Sequence, residues 1–217
     1  MKNFKTIWTV KSECGPVRKK NEDSIFPNKS GSSELPLKAG VFDGMGGHNK
    51  GEVASQIASE AMLETLNSIS SYIDLANKNI LEYQSKNDEA KGMGTTMTII
   101  EIGIDGVLHL AHVGDSRCYV LNNRNLIQLT KDENVPGYQN VLTQALGSKE
   151  KLNIQTKDFQ LSSGDVVFLC TDGVYNEISD EYLKNKLMDG VTAESLVGEV
   201  LLQNPKDNIS AIIINVI

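Results

Sequence analysis

Apolar residues in this chain alternate with polar ones in some stretches and recur at helical spacing in others, and the changes of period mark out its elements. Strands are predicted at Phe4–Val10, with Ile7 and Trp8 as packing residues, at Ser24–Phe26, and at Ala39–Phe42, the end of a buried strand. From Gly51 to Ile69 the period is helical: Val53, Ile57 and Ala61, with Ala54, Ala58, Met62 and Leu66, form one apolar face. A second helix continues from Tyr72 to Ser85 through Ile73, Ala76, Ile80 and Tyr83, and Asn87–Lys91 is polar loop.

β-Branched residues then dominate Gly94–Ile102, and Asp105-Gly106 reads as the hairpin turn into Val107–Val113. Further strands are predicted at Cys118–Leu121, Leu126–Leu129, Phe159–Leu161, Val166–Cys170 and Ile209–Ile217. Lys131–Asn140 reads as a polar loop, Leu142–Leu146 as a short helical or extended piece, and Pro27–Pro36 as a turn-rich connection. Helices are expected at Asp180–Met188 and Thr192–Leu202, with Thr192 as N-cap and Gly190 closing the helix before it. Antiparallel strands interrupted by two helical pairs predict an α+β chain. Two antiparallel sheets packed face to face and flanked by helices, a four-layer αββα sandwich, would bury every apolar face.

The 217 residues suit one domain, 1–217, with no internal repeat or dividing linker. A net charge of −7 argues against nucleic acid or an anionic membrane as a general partner. Cys14, Cys118 and Cys170 are scattered, odd in number and in no metal-ligand spacing, so they read as reduced thiols. With no signal-like N-terminus and no run long enough to span a bilayer, a cytoplasmic protein, acting as a monomer, is expected.

The chemistry gathers at strand ends. Three apolar runs stop at an aspartate: Phe42 at Asp43, Val113 at Asp115, and Cys170 at Asp172; Asp207 immediately precedes another strand. After Asp43 the run Gly44-Met45-Gly46-Gly47 lets the backbone turn sharply and leaves a carbonyl exposed. Each Asp-Gly pair, at Asp43, Asp105, Asp172 and Asp189, reads by itself as a turn or as a ligand site. Were these ends to converge, joined by Glu22 and Asp23, each close carboxylate pair would cost about 4 kcal/mol at ~4 Å in an effective dielectric of ~20. Such a cluster calls for hard divalent cations. Arg18, four residues before Glu22, carries a planar fork suited to phosphate oxygens, although a solvated loop explains it equally.

Seven blocks in order carry a family resemblance: Arg18-x-x-x-Glu22-Asp23, Val41–His48 with Gly51–Ala54, Gly92-Met-Gly-Thr-Thr96, Val113-Gly-Asp-Ser-Arg117, Leu142-Thr-Gln-Ala-Leu-Gly147, Leu169-Cys-Thr-Asp-Gly173 and Asp207-Asn208. Over nearly its whole length the chain resembles the metal-dependent type 2C serine/threonine protein phosphatases in their bacterial form. The resemblance implies two Mn²⁺ or Mg²⁺ ions bridged by Asp43, with Asp172 and Asp207 completing one site. Glu22 and the carbonyl of Gly44 would serve the other. Asp115 would join Asp172 at a third, weaker ion. Asp23 would either support the ligands from behind or reach its metal through water, Asn208 would orient Asp207, and Arg18 would hold the substrate phosphate. The implied substrates are phosphoserine and phosphothreonine on proteins, products of a serine/threonine kinase.

Three departures stand out. Met45 occupies the place where some relatives carry a histidine as general acid, leaving His48 as a candidate acid or a structural residue. Leu129-Thr-Lys-Asp132 is followed by Glu133 where relatives have Asp-His. Only Lys131–Asn140 stands where the family inserts a longer flap, which implies a more open cleft. A catalytically silent phosphoprotein-binding module and a hydrolase of small phosphoesters are the alternatives.

Overall fold

A computed structural model of the chain describes residues 4–45 and 50–217. In chain order its strands and helices are β1 (Lys5–Glu13), β2 (Asp23–Phe26), β3 (Gly31–Glu34), β4 (Leu37–Met45), α1 (Gly51–Ala61), α2 (Ile69–Lys86), β5 (Gly94–Thr95), β6 (Met97–Ile102) and β7 (Val107–Val113). There follow β8 (Arg117–Asn122), β9 (Asn125–Gln128), β10 (Asn134–Val135), β11 (Tyr138–Leu142), β12 (Gln155–Gln160), β13 (Val166–Cys170), α3 (Asp172–Tyr175), α4 (Asp180–Met188), α5 (Ala193–Leu201) and β14 (Ile209–Val216). Two six-stranded antiparallel sheets carry the fold, in the orders β3-β1-β14-β13-β8-β9 and β12-β7-β6-β4-β2 with β5 paired to β4. The strand β14 thus lies between β1 and β13, far from either in sequence except through the sheet.

Strand alternation decides which side chains meet. Ala39 and Val41 of β4, Ile100 and Ile102 of β6, Val167 and Leu169 of β13, and Ile212 and Ile214 of β14 point between the sheets. Their neighbours Phe42, Met97 and Ile99 point the other way, onto α1 and α2. Phe168, Cys170, Ala211 and Ile213 likewise face α4 and α5. Three apolar layers result, and each fully buried Ile, Leu or Phe stabilises them by about 1.5–3 kcal/mol. This is the αββα sandwich expected. Among the described residues no helix is long and apolar enough to cross a membrane.

Several elements differ from the periodicity reading. The first helix ends at Ala61, although apolar spacing continues to Ile69. Lys38 reaches over from β4 and donates to the carbonyls of Met62 at 2.7 Å and Glu64 at 2.8 Å, so a distant cation occupies acceptors that a longer helix would need. Pro27–Pro36 contains β3, which pairs with β1 and places Gly31 against the Trp8 indole. The polar stretch after Lys131 folds as the hairpin β10–β11, turning at Pro136-Gly137 with Gly137 at φ +83°. The turn at Asn123-Arg124 has both residues at positive φ, which matches the twist of a two-residue hairpin. Thr192 does cap α5, its hydroxyl accepting from Ser195 N at 3.2 Å.

Candidate metal centre and its carboxylate cleft

Antiparallel pairing brings the strand ends to one edge of the sandwich. Asp43 lies directly across from Asp23 on β2. The pair Cys170↔Arg117 ends β13 beside the start of β8, and Cys170↔Ala211 sets it beside the start of β14. Asp172, Asp115 and Asp207 follow or precede those pairs by a few residues. A cleft of about 540 Å³ opens there, and Arg18, Glu22, Asp43, Gly44, Asp115, Asp172 and Asp207 all line it. The sequence placed these residues in distant segments; the fold brings them together.

The backbone of Asp43 is held on both sides. Its N–H donates to Thr96 Oγ1 at 3.0 Å, while its carbonyl accepts from Thr96 N and Thr95 Oγ1, each at 2.9 Å. Thr96 Oγ1 in turn lies 2.8 Å from Ser116 Oγ, beside Asp115. Asp115 itself accepts from Asn134 Nδ2 at 2.9 Å, and its carbonyl accepts from the Tyr175 hydroxyl at 3.1 Å. Beneath the cleft, Asp23 Oδ2 accepts from Thr171 Oγ1 at 2.9 Å and Ser210 Oγ at 2.7 Å, which ties one sheet to the other.

Asn208 touches Asp207 through its backbone and does a second thing with its side chain. Its backbone N–H donates to Asp207 Oδ1 at 2.8 Å, but its side chain serves the opposite end of the chain. Oδ1 accepts from Glu22 N at 2.9 Å, and Nδ2 donates to the carbonyls of Cys14 at 2.7 Å and Lys20 at 3.0 Å. One amide thereby fixes the loop that carries Arg18 and Glu22. Arg18 donates to Asp207 Oδ2 at 2.7 Å and through Nε to the Lys206 carbonyl at 3.3 Å, so its fork faces the cleft already engaged with an acid.

The departures from the family pattern have structural counterparts. Glu133 accepts from Gly114 N at 2.9 Å, from Gln144 Nε2 at 3.0 Å and from Gln155 Nε2 at 2.9 Å, and so fastens the turn before Asp115. Asp132 forms a forked pair with Arg117, whose guanidinium stacks 3.6 Å from the centre of the Tyr175 ring. The hairpin β10–β11 supplies Asn140 and Leu142 to one wall of the cleft. His48 lies outside the described residues. Sequence reading missed Thr96, Asn176, Glu177 and Lys206 as cleft residues; Thr96 alone had a signal, the Gly-Thr-Thr block.

Electrostatically the cleft favours positive charge. Burial, then the neighbouring charges of Asp23, Asp172, Asp115 and Asp207, holds the Asp43 carboxyl well above the usual carboxylate range. Burial pushes Asp23 up to about 7 against the hydroxyl hydrogen bonds it accepts. Burial also carries Asp172 to about 7, with help from Asp207 and Asp115. Burial raises Asp115 and Glu22 in the same direction.

The donor set fits a hard divalent ion. Asp23 Oδ1 and Asp172 Oδ1 are buried and accept no hydrogen bond. A Cβ placed on Gly51 would sit 2.9 Å from both Glu22 Oε1 and the Gly44 carbonyl oxygen, so those two oxygens converge on space that glycine leaves open. Carboxylates plus a carbonyl are the ligands of Mg²⁺ and Mn²⁺. Among the described residues no three Asp, Glu, His or Cys side chains are drawn into a closed shell as they stand. Arg18 holds Asp207 at 2.7 Å.

An αββα sandwich with an acid-lined cleft and an arginine at its rim is the arrangement of a metal-dependent phosphatase. The pattern of the family described as protein phosphatase 2C matches residues 18–203, and the chain belongs to that family. It is 30% identical to the serine/threonine phosphatase stp of Listeria monocytogenes over 240 aligned positions, covering 94% of this chain and 93% of the relative. The Mycobacterium tuberculosis serine/threonine phosphatase PstP superposes with a TM-score of 0.86 at 26% identity, covering 97% of this chain and 98% of that one. The PstP catalytic domain in complex with 2 manganese ions superposes with a TM-score of 0.84 at 28% identity, over 99% of each chain.

Proposed function

We propose that this protein hydrolyses phosphoserine and phosphothreonine on proteins at a pair of Mn²⁺ or Mg²⁺ ions. The observation that carries the reading is the convergence of Glu22, Asp43, Asp115, Asp172 and Asp207 in one cleft with Arg18 at its rim. Asp43 would be shared between the two ions, with Asp172 and Asp207 serving one and Glu22 and the Gly44 carbonyl the other, and Asp115 with Asp172 would hold a third, weaker ion. Bound there, such ions would supply charge neutralisation and an acidified water for attack on phosphorus. Thr96 and Thr95 fix the Asp43 backbone, so its carboxylate needs little rearrangement.

Arg18 has a double attachment to consider. Its bond to Asp207 must yield when that carboxylate turns to a cation, and the freed fork then matches two phosphate oxygens. Asp23 accepts hydroxyl bonds on one oxygen, and the other, buried and without a hydrogen-bond partner, would be available to reach an ion through water. The protein is read as a cytoplasmic monomer acting on the products of a serine/threonine kinase. A PstP catalytic domain holding 2 manganese ions supports the metal assignment.

The test is hydrolysis of a phosphothreonine peptide with Mn²⁺, with Mg²⁺ and with chelator. Turnover is expected only with metal; full turnover in chelator refutes the reading. A nucleotide or sugar phosphate cleaved in preference to the peptide would instead support a small-phosphoester hydrolase. Tight phosphopeptide binding without turnover would support a silent module.

A further inference from the structure

We infer that Lys206 is a specificity-determining residue that favours phosphorylated segments carrying an acidic side chain next to the phosphorylated residue. The inference rests on the phosphoprotein phosphatase reading of the same cleft.

Six carboxylates line that cleft, from Glu22, Asp43, Asp115, Asp172, Glu177 and Asp207, against two cations among the described residues, Arg18 and Lys206. Arg18 is bonded to Asp207. Lys206 is exposed and, among the described residues, forms no ion pair. An exposed cleft lysine in no ion pair leaves its charge available to a substrate.

Its backbone is firmly set. Asn204 takes φ +60° to close the turn after α5, Pro205 is buried, and the Lys206 carbonyl accepts from Arg18 Nε at 3.3 Å. The two cations therefore share one rim but differ in reach. Arg18 is bonded to Asp207, one of the cleft acids, and Lys206, exposed beside it, is placed to meet a residue flanking the phosphoryl group.

An ammonium on a flexible four-carbon stem reads charge without demanding planar geometry, which suits a carboxylate of variable position. The background makes the effect selective. With a net charge of −7, the protein repels acidic segments generally, so a single free cation lining the cleft decides whether one is admitted. An exposed pair of this kind is expected to change kcat/KM roughly threefold to fivefold.

The experiment compares two phosphothreonine peptides that differ only in a glutamate or a glutamine beside the phosphorylated residue, in saturating Mn²⁺. The wild-type protein is expected to prefer the acidic peptide roughly threefold to fivefold in kcat/KM, chiefly through KM, with the preference fading as salt rises. Lys206→Ala brings the ratio to about one, Lys206→Arg restores it, and Lys206→Glu inverts it. A wild-type ratio near one, or a ratio that stays the same in Lys206→Ala and Lys206→Glu, overturns the assignment. A KM rise equal for both peptides also overturns it, because Lys206 would then be reading the phosphate they share. Failure of the wild-type protein to cleave either peptide in Mn²⁺ is a failure of the phosphatase reading and is distinguished in the same assay.

Discussion

Replacing Asp23 with asparagine in protein stripped of divalent ions is expected to stabilise it, and to do so more at pH 8 than at pH 5. Asp23 has its carboxyl pKa raised from 3.8 to about 7, first by burial. The folded state therefore keeps a proton that the unfolded chain releases above pH 3.8, and stability is lost as the pH climbs from there through about 7. At 1.36 kcal/mol per pH unit, the loss reaches about 4 kcal/mol at pH 8, and about 3 kcal/mol of it falls between pH 5 and pH 8. Asparagine keeps an acceptor for Thr171 and Ser210 but carries no charge at either pH. The advantage of Asp23→Asn thus grows by about 3 kcal/mol between the two conditions, or about 6–12 °C in melting temperature for a chain of this size.

His112, whose pKa burial pushes down, works in the opposite direction below its ordinary value, but it does so equally in both proteins. The surface acids Glu52, Glu82 and Glu199, with lowered pKa values, contribute in the same way to both proteins. Their effects cancel in the comparison. The assay is thermal melting of both proteins in chelator at half-unit steps from pH 5 to 8, repeated with Mn²⁺. Manganese should raise the wild-type melting temperature at pH 8 toward that of the variant. If the two melting curves stay parallel across the pH range in chelator, Asp23 is not a charge stored beneath the cleft and the electrostatic account fails.

Asp43→Asn and Asp172→Asn should each lower kcat on a phosphothreonine peptide by about 100-fold or more while the far-ultraviolet circular dichroism is unchanged; near-normal turnover in either contradicts the ligand assignment. Gly51→Ala fills the space on which Glu22 Oε1 and the Gly44 carbonyl converge, and should weaken Mn²⁺ binding in calorimetry by about tenfold. Thr96→Val removes the acceptor for the Asp43 N–H, and should cost about 1–3 kcal/mol in urea unfolding, most of it recovered by Thr96→Ser.

The strands were legible wherever an apolar run met an aspartate, as at Asp115 and Asp172; at Asp43, however, β4 does not stop but runs on to Met45, because Gly44 and Met45 pair with β5. Asp105 was rightly separated from them: its Oδ1 accepts from Val107 N at 3.1 Å in a remote hairpin turn. The convergence itself came from family resemblance, since spacing carries no register. What escaped was set by contacts across the chain. The end of α1 depends on Lys38, and β3 exists because β1 offers an edge. The hairpin β10–β11 is made of polar residues whose pairing no periodicity announces. The service of Asn208 to Glu22 spans 186 positions, and Lys206 looked like any charged neighbour of Asp207.

The place of β14 has a consequence for how the protein comes to life. During synthesis β1 is made well before β14 and has to wait for residues beyond 208 before this partner exists. The same later segment brings Asp207 and the amide that grips the Arg18 loop. A polypeptide clipped short of this point lacks the strand that joins β1 to β13, together with Asp207 and Asn208.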